Sequence, residues 1–220
     1  AGRGLMPTDV ETVRYIAQRE VREITLPDGS TMTLDAQSVA LARFGNDTRS
    51  LELERGRALF SVRHDPSRPF AVDAGSRRVI ALGTEFEVDR APSRLTVTLF
   101  KGRVAIEPVA NGATVTLAPG ERFVEANGRP VVQRFAAGIA PGSWREGLLE
   151  FDDRPLADAV AEANRYSAEQ LVVRDPAVGA MRISGQFRAG DAERFARTLA
   201  EIYPLRMVRR EDEIELAPAR

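Results

Sequence analysis

The chain of 220 residues carries 31 basic and 32 acidic side chains, a net charge of −1, and 43% of its residues are hydrophobic. This composition is typical of a globular protein that can bury a core. A near-neutral charge gives no long-range attraction to phosphate backbones, so nucleic acid is not the expected partner. The absence of cysteine excludes disulfides, thiolate metal sites and a cysteine nucleophile. No apolar run approaches the roughly 20 residues that a membrane helix needs.

Residues 1–20 are weakly patterned and leave strand and helix open. From residue 21 apolar and polar residues alternate, which is typical of strands. Residues 23–26 and 31–34 flank a Pro-Asp-Gly-Ser turn, which predicts a β-hairpin because Asp-Gly tolerates the positive φ of a tight turn. The same strand–glycine–strand pattern recurs at residues 51–60 and 95–106. Many short strands with no helix between them predict an all-β domain over residues 21–135, and the repeated unit favours a twisted solenoid-like or sandwich-like stack.

The pattern changes after residue 130. Residues 136–147 are rich in small residues and are predicted to be a linker. Residues 148–220 are predicted to form an α+β domain with helices at 155–166, where Asp152 and Asp153 would be the caps, and after Asp191. The second of these helices carries Ala192, Phe195, Leu199 and Ile202 on one stripe. A shift of 36 residues superimposes Phe151 on Phe187 and Ala163 on Leu199, so the domain is predicted to hold two strand–helix–strand units in tandem. The fold class is therefore mainly β with a C-terminal α+β module.

Candidate catalytic and metal-binding groups are isolated. His64 is the single histidine, and a packing role in a turn is favoured over metal binding because metal sites cluster their ligands. Glu52 and Glu54 would share one face of a strand. Because Arg49, Arg55 and Arg57 lie close to them in the sequence, the pair is interpreted as part of a solvated, salt-paired face with these arginines. Nothing in the sequence assembles an active site, so we expect no enzymatic activity and no cofactor.

A series of short motifs follows a fixed order along the chain: residues 26–30 (LPDGS), 34–38 (LDAQS), 56–62 (GRALFSV), 64–72 (HDPSRPFAV), 82–88 (LGTEFEV), 102–104 (GRV), 117–121 (LAPGE), 144–147 (WREG) and 164–166 (NRY). In this order they resemble the periplasmic region of the FecR family of sigma-factor regulators, over residues 20–216. The family often has Asn where Asp35 and Glu87 stand, and an acidic residue where Arg57 stands. These departures are interpreted as changes on the surface.

The resemblance implies the periplasmic region of a single-pass inner-membrane anti-sigma factor. Residues 1–20 would lead in from a membrane anchor that lies outside the chain, and the sigma factor would bind a cytoplasmic segment that also lies outside it. The implied partner is the N-terminal signalling domain of a TonB-dependent outer-membrane siderophore receptor, in cell-surface signalling for iron uptake. The last domain resembles the secretin/TonB short domain, abbreviated STN.

A small α+β domain with an unpaired strand can take up a partner by strand addition. We therefore expect the receptor domain to dock near residues 181–187 or 205–209. The candidate partner-binding residues are Met181, Ile183, Gln186, Phe187, Leu205, Met207 and Arg209.

Two other functions remain open. A carbohydrate- or peptidoglycan-binding β module would need exposed aromatic platforms, whereas Phe60, Phe70, Phe86 and Phe123 are expected to be buried. A hydrolase would need Glu52, Glu54 and Asp73 to converge in a pocket. The lone Trp144 is expected to pack the linker on a domain.

Overall fold

The computed structural model describes residues 10–135 and 142–219. Two compact units divide the chain, residues 1–137 and residues 138–220. The division falls in the predicted linker at 136–147, of which residues 136–141 lie outside the described residues, as do residues 1–9 of the predicted lead-in. The prediction of a mainly β chain with a C-terminal α+β module is confirmed.

The first unit is a 13-stranded sheet that curls into a half-barrel. Its strands are β1 (Glu11–Ala17), β2 (Arg22–Thr25), β3 (Thr31–Leu34), β4 (Ser38–Phe44), β5 (Arg49–Ser61), β6 (Phe70–Ala74), β7 (Arg77–Ala81), β8 (Glu85–Ala91), β9 (Arg94–Lys101), β10 (Val104–Pro108), β11 (Val115–Leu117), β12 (Glu121–Ala126) and β13 (Arg129–Arg134). The main path runs β11-β10-β7-β6-β5-β8-β9-β12-β13. Strand β1, in the stretch that the sequence left open, pairs with β4.

Strand β5 joins the two halves of the curled sheet. Its first half pairs with β4 and, in parallel, with β6, whereas its second half pairs with β3 and β8. The change of neighbours falls at Gly56, where φ is +86°. The sequence predicted a break between two strands here. The structure instead keeps one continuous strand, because glycine at positive φ lets the chain bend while its hydrogen bonds pass from one set of neighbours to the other.

The core of the first unit is an aromatic cluster inside the curl. Phe60 stacks on Phe86 with ring centroids 5.1 Å apart and meets Phe70 edge-on at 5.9 Å. These three rings and Phe123 are 0% exposed, as predicted. Strands such as β8 and β12 alternate in burial, so one face of each lies in this core. Strands β5 and β9 instead contain runs of consecutive buried residues.

The second unit contains strands β14 (Leu148–Pro155), β15 (Gln170–Val172), β16 (Arg182–Arg188), β17 (Leu205–Arg209) and β18 (Glu213–Pro218), helices α1 (Leu156–Ala163), α2 (Pro176–Gly179) and α3 (Ala192–Ile202), and a 3-10 helix at Ser143–Glu146. The two predicted repeats are β14–α1–β15 and β16–α3–β17. Strands β14 and β16 pair antiparallel, and β15 and β17 flank β18 in a second sheet. Within the described residues no helix is long and apolar enough to cross a membrane.

The predicted caps of the two long helices have different outcomes. Asp191 does cap α3, accepting the N–H of Arg194 at 2.9 Å. The prediction that Asp152 and Asp153 cap the first helix is wrong, because β14 continues through a bulge to Pro155, which takes the N-cap position. The Asp153 carboxylate instead accepts a hydrogen bond from Arg182 at 2.8 Å, which lowers the pKa of Asp153.

Candidate partner-binding edges of the second unit

The seven predicted partner-binding residues lie on β16 and β17 or, for Met181, directly before β16. Ile183 and Leu205 are 0% and 4% exposed, so their side chains belong to the core of the second unit. The other five are exposed or only partly buried at the margins of that core: Met181, Gln186, Phe187, Met207 and Arg209.

Strand β17 is an edge strand of its three-stranded sheet, because it pairs with β18 on one side and with no strand of the described residues on the other. Two flanking hydrogen bonds fix which main-chain groups face β18. The N–H of Arg210 donates to the carbonyl of Glu213, and the N–H of Ala219 donates to the carbonyl of Pro204, both at 2.9 Å. Because an antiparallel strand alternates, the even-numbered residues of β17 bond to β18. The main-chain groups of residues 205, 207 and 209 therefore point away from the sheet.

Two of these outward N–H groups on β17 are free to form hydrogen bonds with another chain. The N–H of Leu205 donates to the carbonyl of Tyr203, whereas those of Met207 and Arg209 have no partner among the described residues. Arg209 also anchors its strand, since its guanidinium pairs with Glu169 at 3.0 Å and with Glu193 at 3.1 Å. An extended chain could therefore add to β17 through ladder hydrogen bonds at residues 207 and 209.

The first unit has a comparable edge at β13, but this edge is blocked. The N–H of Phe135 donates to the carbonyl of Gly120, so residues 130, 132 and 134 face outward. Pro130 has no N–H to offer, and prolines and charges at such positions protect sheet edges from pairing with other chains. All six residues of β13 are exposed, with Arg129 and Arg134 at its ends.

The isolated polar residues of the sequence take structural positions. His64 donates its Nδ1–H to the carbonyl of Leu82 and so holds a turn, consistent with the packing role favoured above. Within the described residues no group of three metal-ligating side chains comes together.

The carboxylates considered for a hydrolase lie on the outer surface of the sheet. Glu52 and Asp73 do not lie apart, because they are direct neighbours across β5 and β6. Each nevertheless faces an arginine: Glu52 pairs with Arg43 at 3.3 Å, and Asp73 lies 3.6 Å from Arg78. Both carboxylates are thus members of surface ion pairs.

Two of the arginines taken as part of the solvated face are in fact buried. The interpretation holds for Glu52 and for Glu54, which pairs with Arg14 on the surface. Arg49 and Arg57, however, are 2% and 7% exposed. Their side chains point inward because each forms an ion pair with a buried carboxylate. These partners are distant in the sequence, so the nearby glutamates gave no indication of the pairs.

Arg57 pairs with Asp35 at 2.8 Å, and the Asp35 side chain is 0% exposed. The interpretation of these two departures from the FecR pattern as surface changes is therefore wrong. Together they form one buried ion pair, in which the charge of each residue requires the other.

No exposed aromatic platform exists at the positions that a carbohydrate-binding module would need. Phe60, Phe70, Phe86 and Phe123 are enclosed, and Trp144 is 3% exposed in the 3-10 helix before β14. These five aromatic side chains belong to cores, which counts against a carbohydrate-binding module built on them.

The architecture defines a two-unit, mainly β protein whose second unit presents an open strand edge. Residues 13–105, within the first unit, match the model of a family described as "FecR protein". No curated protein matches the chain.

Two crystal structures from Parabacteroides distasonis, each described as a "putative anti-sigma factor", share the fold. They are 24% and 23% identical to this chain, with TM-scores of 0.84 and 0.85. Each alignment covers 94% of this chain and 99% of the other. At this identity the likeness establishes the fold, including that of the second unit, which lies beyond the family match.

Proposed function

We propose that the chain is the periplasmic signal-receiving region of a transmembrane anti-sigma factor, and that it works by binding another protein without catalysis. The family match at residues 13–105 and the fold shared with the Parabacteroides proteins support the role of a signalling regulator. The partner we propose is the N-terminal signalling domain of a TonB-dependent outer-membrane siderophore receptor, in cell-surface signalling for iron uptake. The STN-like character of residues 148–220 is part of the same proposal.

The observation that carries the proposal is the open edge of β17. The outward main-chain groups of Met207 and Arg209 can pair with a strand of the receptor domain, so that the three-stranded sheet gains a fourth strand. Main-chain bonding supplies affinity, and the surrounding side chains supply selectivity. Strand β16, with Met181, Gln186 and Phe187, is the second surface in this proposal.

Substitution of Arg209 tests the edge. Arg209→Pro removes the outward N–H but leaves the ladder to β18, because that N–H does not point to β18. Arg209→Ala loses the same ion pairs with Glu169 and Glu193 but keeps the N–H, so it is the matched control. We expect Arg209→Pro to weaken binding of the signalling domain about tenfold or more and Arg209→Ala to change it only a few fold.

The measurement is isothermal titration calorimetry of the 220-residue chain with the N-terminal signalling domain of a TonB-dependent receptor, taken from the neighbouring genes where such a receptor is encoded there. Val132→Pro, which removes an outward N–H from β13, reports whether the other edge contributes and should bind as the unsubstituted chain does. Equal affinities of Arg209→Pro and Arg209→Ala would refute docking on β17. A gene neighbourhood without a sigma factor and a TonB-dependent receptor would count against the named partner.

A further inference from the structure

A cavity of about 300 Å³ opens in the second unit between β14, β16 and α3. Its walls combine apolar, polar and cationic groups, and its lining residues are Leu148, Gln186, Phe187, Arg188, Arg194, Phe195 and Thr198. Phe187 and Phe195 meet edge-to-face with centroids 4.8 Å apart, and both contact Phe151. A rigid aromatic wall with a few polar groups is the usual composition of a binding pocket, and this volume accommodates one or two side chains.

The two arginines of this cavity differ from the other arginines around it. Both are exposed, and neither guanidinium has an ion-pair or hydrogen-bond partner within the described residues. By contrast, Arg182 on β16 pairs with Asp153, and Arg197 on α3 pairs with Glu193. Arg188 and Arg194 thus supply two guanidinium groups without a carboxylate partner beside an apolar wall. An unpaired guanidinium group can bind a carboxylate through two parallel, charge-assisted hydrogen bonds, which are stronger than hydrogen bonds between neutral groups.

None of the neighbouring carboxylates among the described residues, which include Glu201, forms an ion pair with Arg188 or Arg194. The carboxylate of Asp191 accepts the N–H of Arg194 as the helix cap, and that of Glu150 accepts from the Gln186 amide at 2.7 Å. Glu193 is held by Arg197 and Arg209. The guanidinium groups of Arg188 and Arg194 at the mouth of the cavity therefore remain available to bind an external anion.

The strand beside the cavity offers main-chain groups as well. The N–H of Ala189 donates to the carbonyl of Gly147, and the N–H of Leu156 donates to that of Met181, so the odd-numbered residues of β16 face β14. The even-numbered residues face outward. The N–H of Ser184 is covered by the hydroxyl of Tyr203, whereas residues 186 and 188, next to the cavity, have no such cover among the described residues.

We propose that this cavity is a recognition pocket for an extended acidic peptide segment of a partner protein. The segment pairs with the outward groups of residues 186 and 188, an apolar side chain packs on Phe187 and Phe195, and a carboxylate one or two residues away binds Arg188 and Arg194. Charge complementarity selects this occupant, since two guanidinium groups without ion-pair partners at an aromatic pocket favour an acidic chain over a neutral one. The pocket deepens the proposed function at its β16 surface, but its evidence is the geometry of the second unit and not docking at β17.

A random heptapeptide display library, selected on the full chain, tests the pocket. The decisive variant is Arg188→Gln with Arg194→Gln. Its matched control is Arg182→Gln with Arg197→Gln, which also removes one charge from β16 and one from α3, but from arginines that are ion-paired. We expect the selected peptides to carry Asp or Glu within two residues of a large apolar residue.

The most enriched peptide is then synthesised, and its dissociation constant is measured by fluorescence anisotropy. The decisive variant should bind it at least about tenfold more weakly, and the control within about twofold. Replacing the acidic residue of the peptide by its amide should weaken binding to the unsubstituted chain by a similar factor and to the decisive variant hardly at all. Added salt should weaken binding to the unsubstituted chain.

Three outcomes would overturn the proposal: no enrichment of any peptide, enrichment of peptides without acidic residues, or equal affinity for both variants. None of these results depends on Arg209, so the proposal of the pocket and the proposal of docking on β17 are tested independently.

Discussion

The guanidinium of Arg49 donates a hydrogen bond to the carboxylate of Asp28 at 2.9 Å, and both side chains are at most 3% exposed. Asp28 lies in the turn of the β2–β3 hairpin, whereas Arg49 begins β5. The same guanidinium donates to the carbonyls of Arg63 at 3.1 Å, Asp65 at 3.3 Å and Arg68 at 2.7 Å. One arginine thus fastens the hairpin turn and the loop at 63–68 to the long strand.

Removal of this arginine should be the most destabilising charge change in the first unit. Arg49→Ala leaves the Asp28 carboxylate buried without its cation, and such losses cost about 3–5 kcal/mol. Arg49→Lys keeps the charge but loses the planar fork, so we expect an intermediate cost. The measurement is the free energy of unfolding in urea.

Arg43→Ala is the control, because Arg43 forms its ion pair with Glu52 on the solvated face, where the two side chains are 39% and 40% exposed. It should cost less than about 1 kcal/mol. If Arg49→Ala and Arg43→Ala had the same free energy of unfolding, the role of Arg49 in holding the hairpin turn and the loop at 63–68 on β5 would be refuted.

Substitution of Gly56 should destabilise the bend of β5. A Cβ there would lie 2.2 Å from the Oγ of Ser38 and 2.7 Å from its Cα, and this Oγ accepts the N–H of Arg57. Gly120 has nearly the same φ, +87° against +86°, but nothing lies within 4 Å of its Cβ position. Gly120→Ala therefore measures the cost of the backbone alone, about 1–2 kcal/mol.

We expect Gly56→Ala to cost about 1–3 kcal/mol more than Gly120→Ala, because the overlap with Ser38 forces a backbone shift. Denaturant unfolding of both variants gives this difference directly. A difference near zero would mean that β5 and β4 can separate at the bend without loss of stability.

Local sequence signals predicted much of the fold. Asp28-Gly29 gave the hairpin, the spacing of Phe195 and Leu199 gave α3, and the 36-residue shift gave the two repeats. These features depend on residues close in sequence, or on a repeated pattern. Ile202, placed on the buried stripe of α3, is 66% exposed, because the helix ends there and the chain turns toward β17.

The features that were missed depend on partners distant in sequence. Asp35 and Arg57 are 22 residues apart and become a buried pair only when β3 pairs with β5. The outward groups of β17 and β16 could not be assigned either, since a one-residue change of register would reverse them. The pocket residues Arg188 and Arg194 were missed because the chain is rich in arginine and many of its arginines are ion-paired. The sequence does not show which arginines lack a carboxylate partner in the fold.

The stability of the first unit should depend on pH through Glu125. Its carboxylate accepts from Arg77 at 2.6 and 3.2 Å and from the hydroxyl of Ser76 at 3.0 Å. The hydrogen bonds from Arg77, with that from Ser76, lower the pKa of Glu125 below its ordinary value of 4.5, although burial acts in the opposite direction. Because the folded pKa is the lower one, the stabilisation is complete above about pH 4.5 and is lost as the pH falls through the folded pKa.

Glu125→Gln should therefore unfold about 1–3 kcal/mol more easily at pH 7. The difference from the unsubstituted chain should shrink as the pH falls below 4.5. Urea unfolding at several pH values between 7 and 3 measures it, and Glu54→Gln, on an exposed pair, provides the control, with a cost below about 1 kcal/mol at pH 7. A cost of Glu125→Gln that stays constant over this range would contradict the role of the ionised carboxylate.

Pro130 should keep β13 from pairing with a second copy of the chain. Pro130→Thr restores an outward N–H on an exposed strand that already presents those of residues 132 and 134, and Val131 and Val132 are 55% and 43% exposed. An extended edge of this kind is a template for strand pairing between molecules. We therefore expect Pro130→Thr to self-associate in a concentration-dependent way in sedimentation velocity experiments.

Higher salt should increase the association of Pro130→Thr. Antiparallel pairing of two β13 strands brings Arg129 near Arg134 of the other copy, and salt screens this repulsion. Val131→Thr is the control, since the N–H of residue 131 faces β12 and the edge donors are unchanged. If Pro130→Thr sedimented like the unsubstituted chain at every concentration and salt, the arginines alone would suffice to protect the edge.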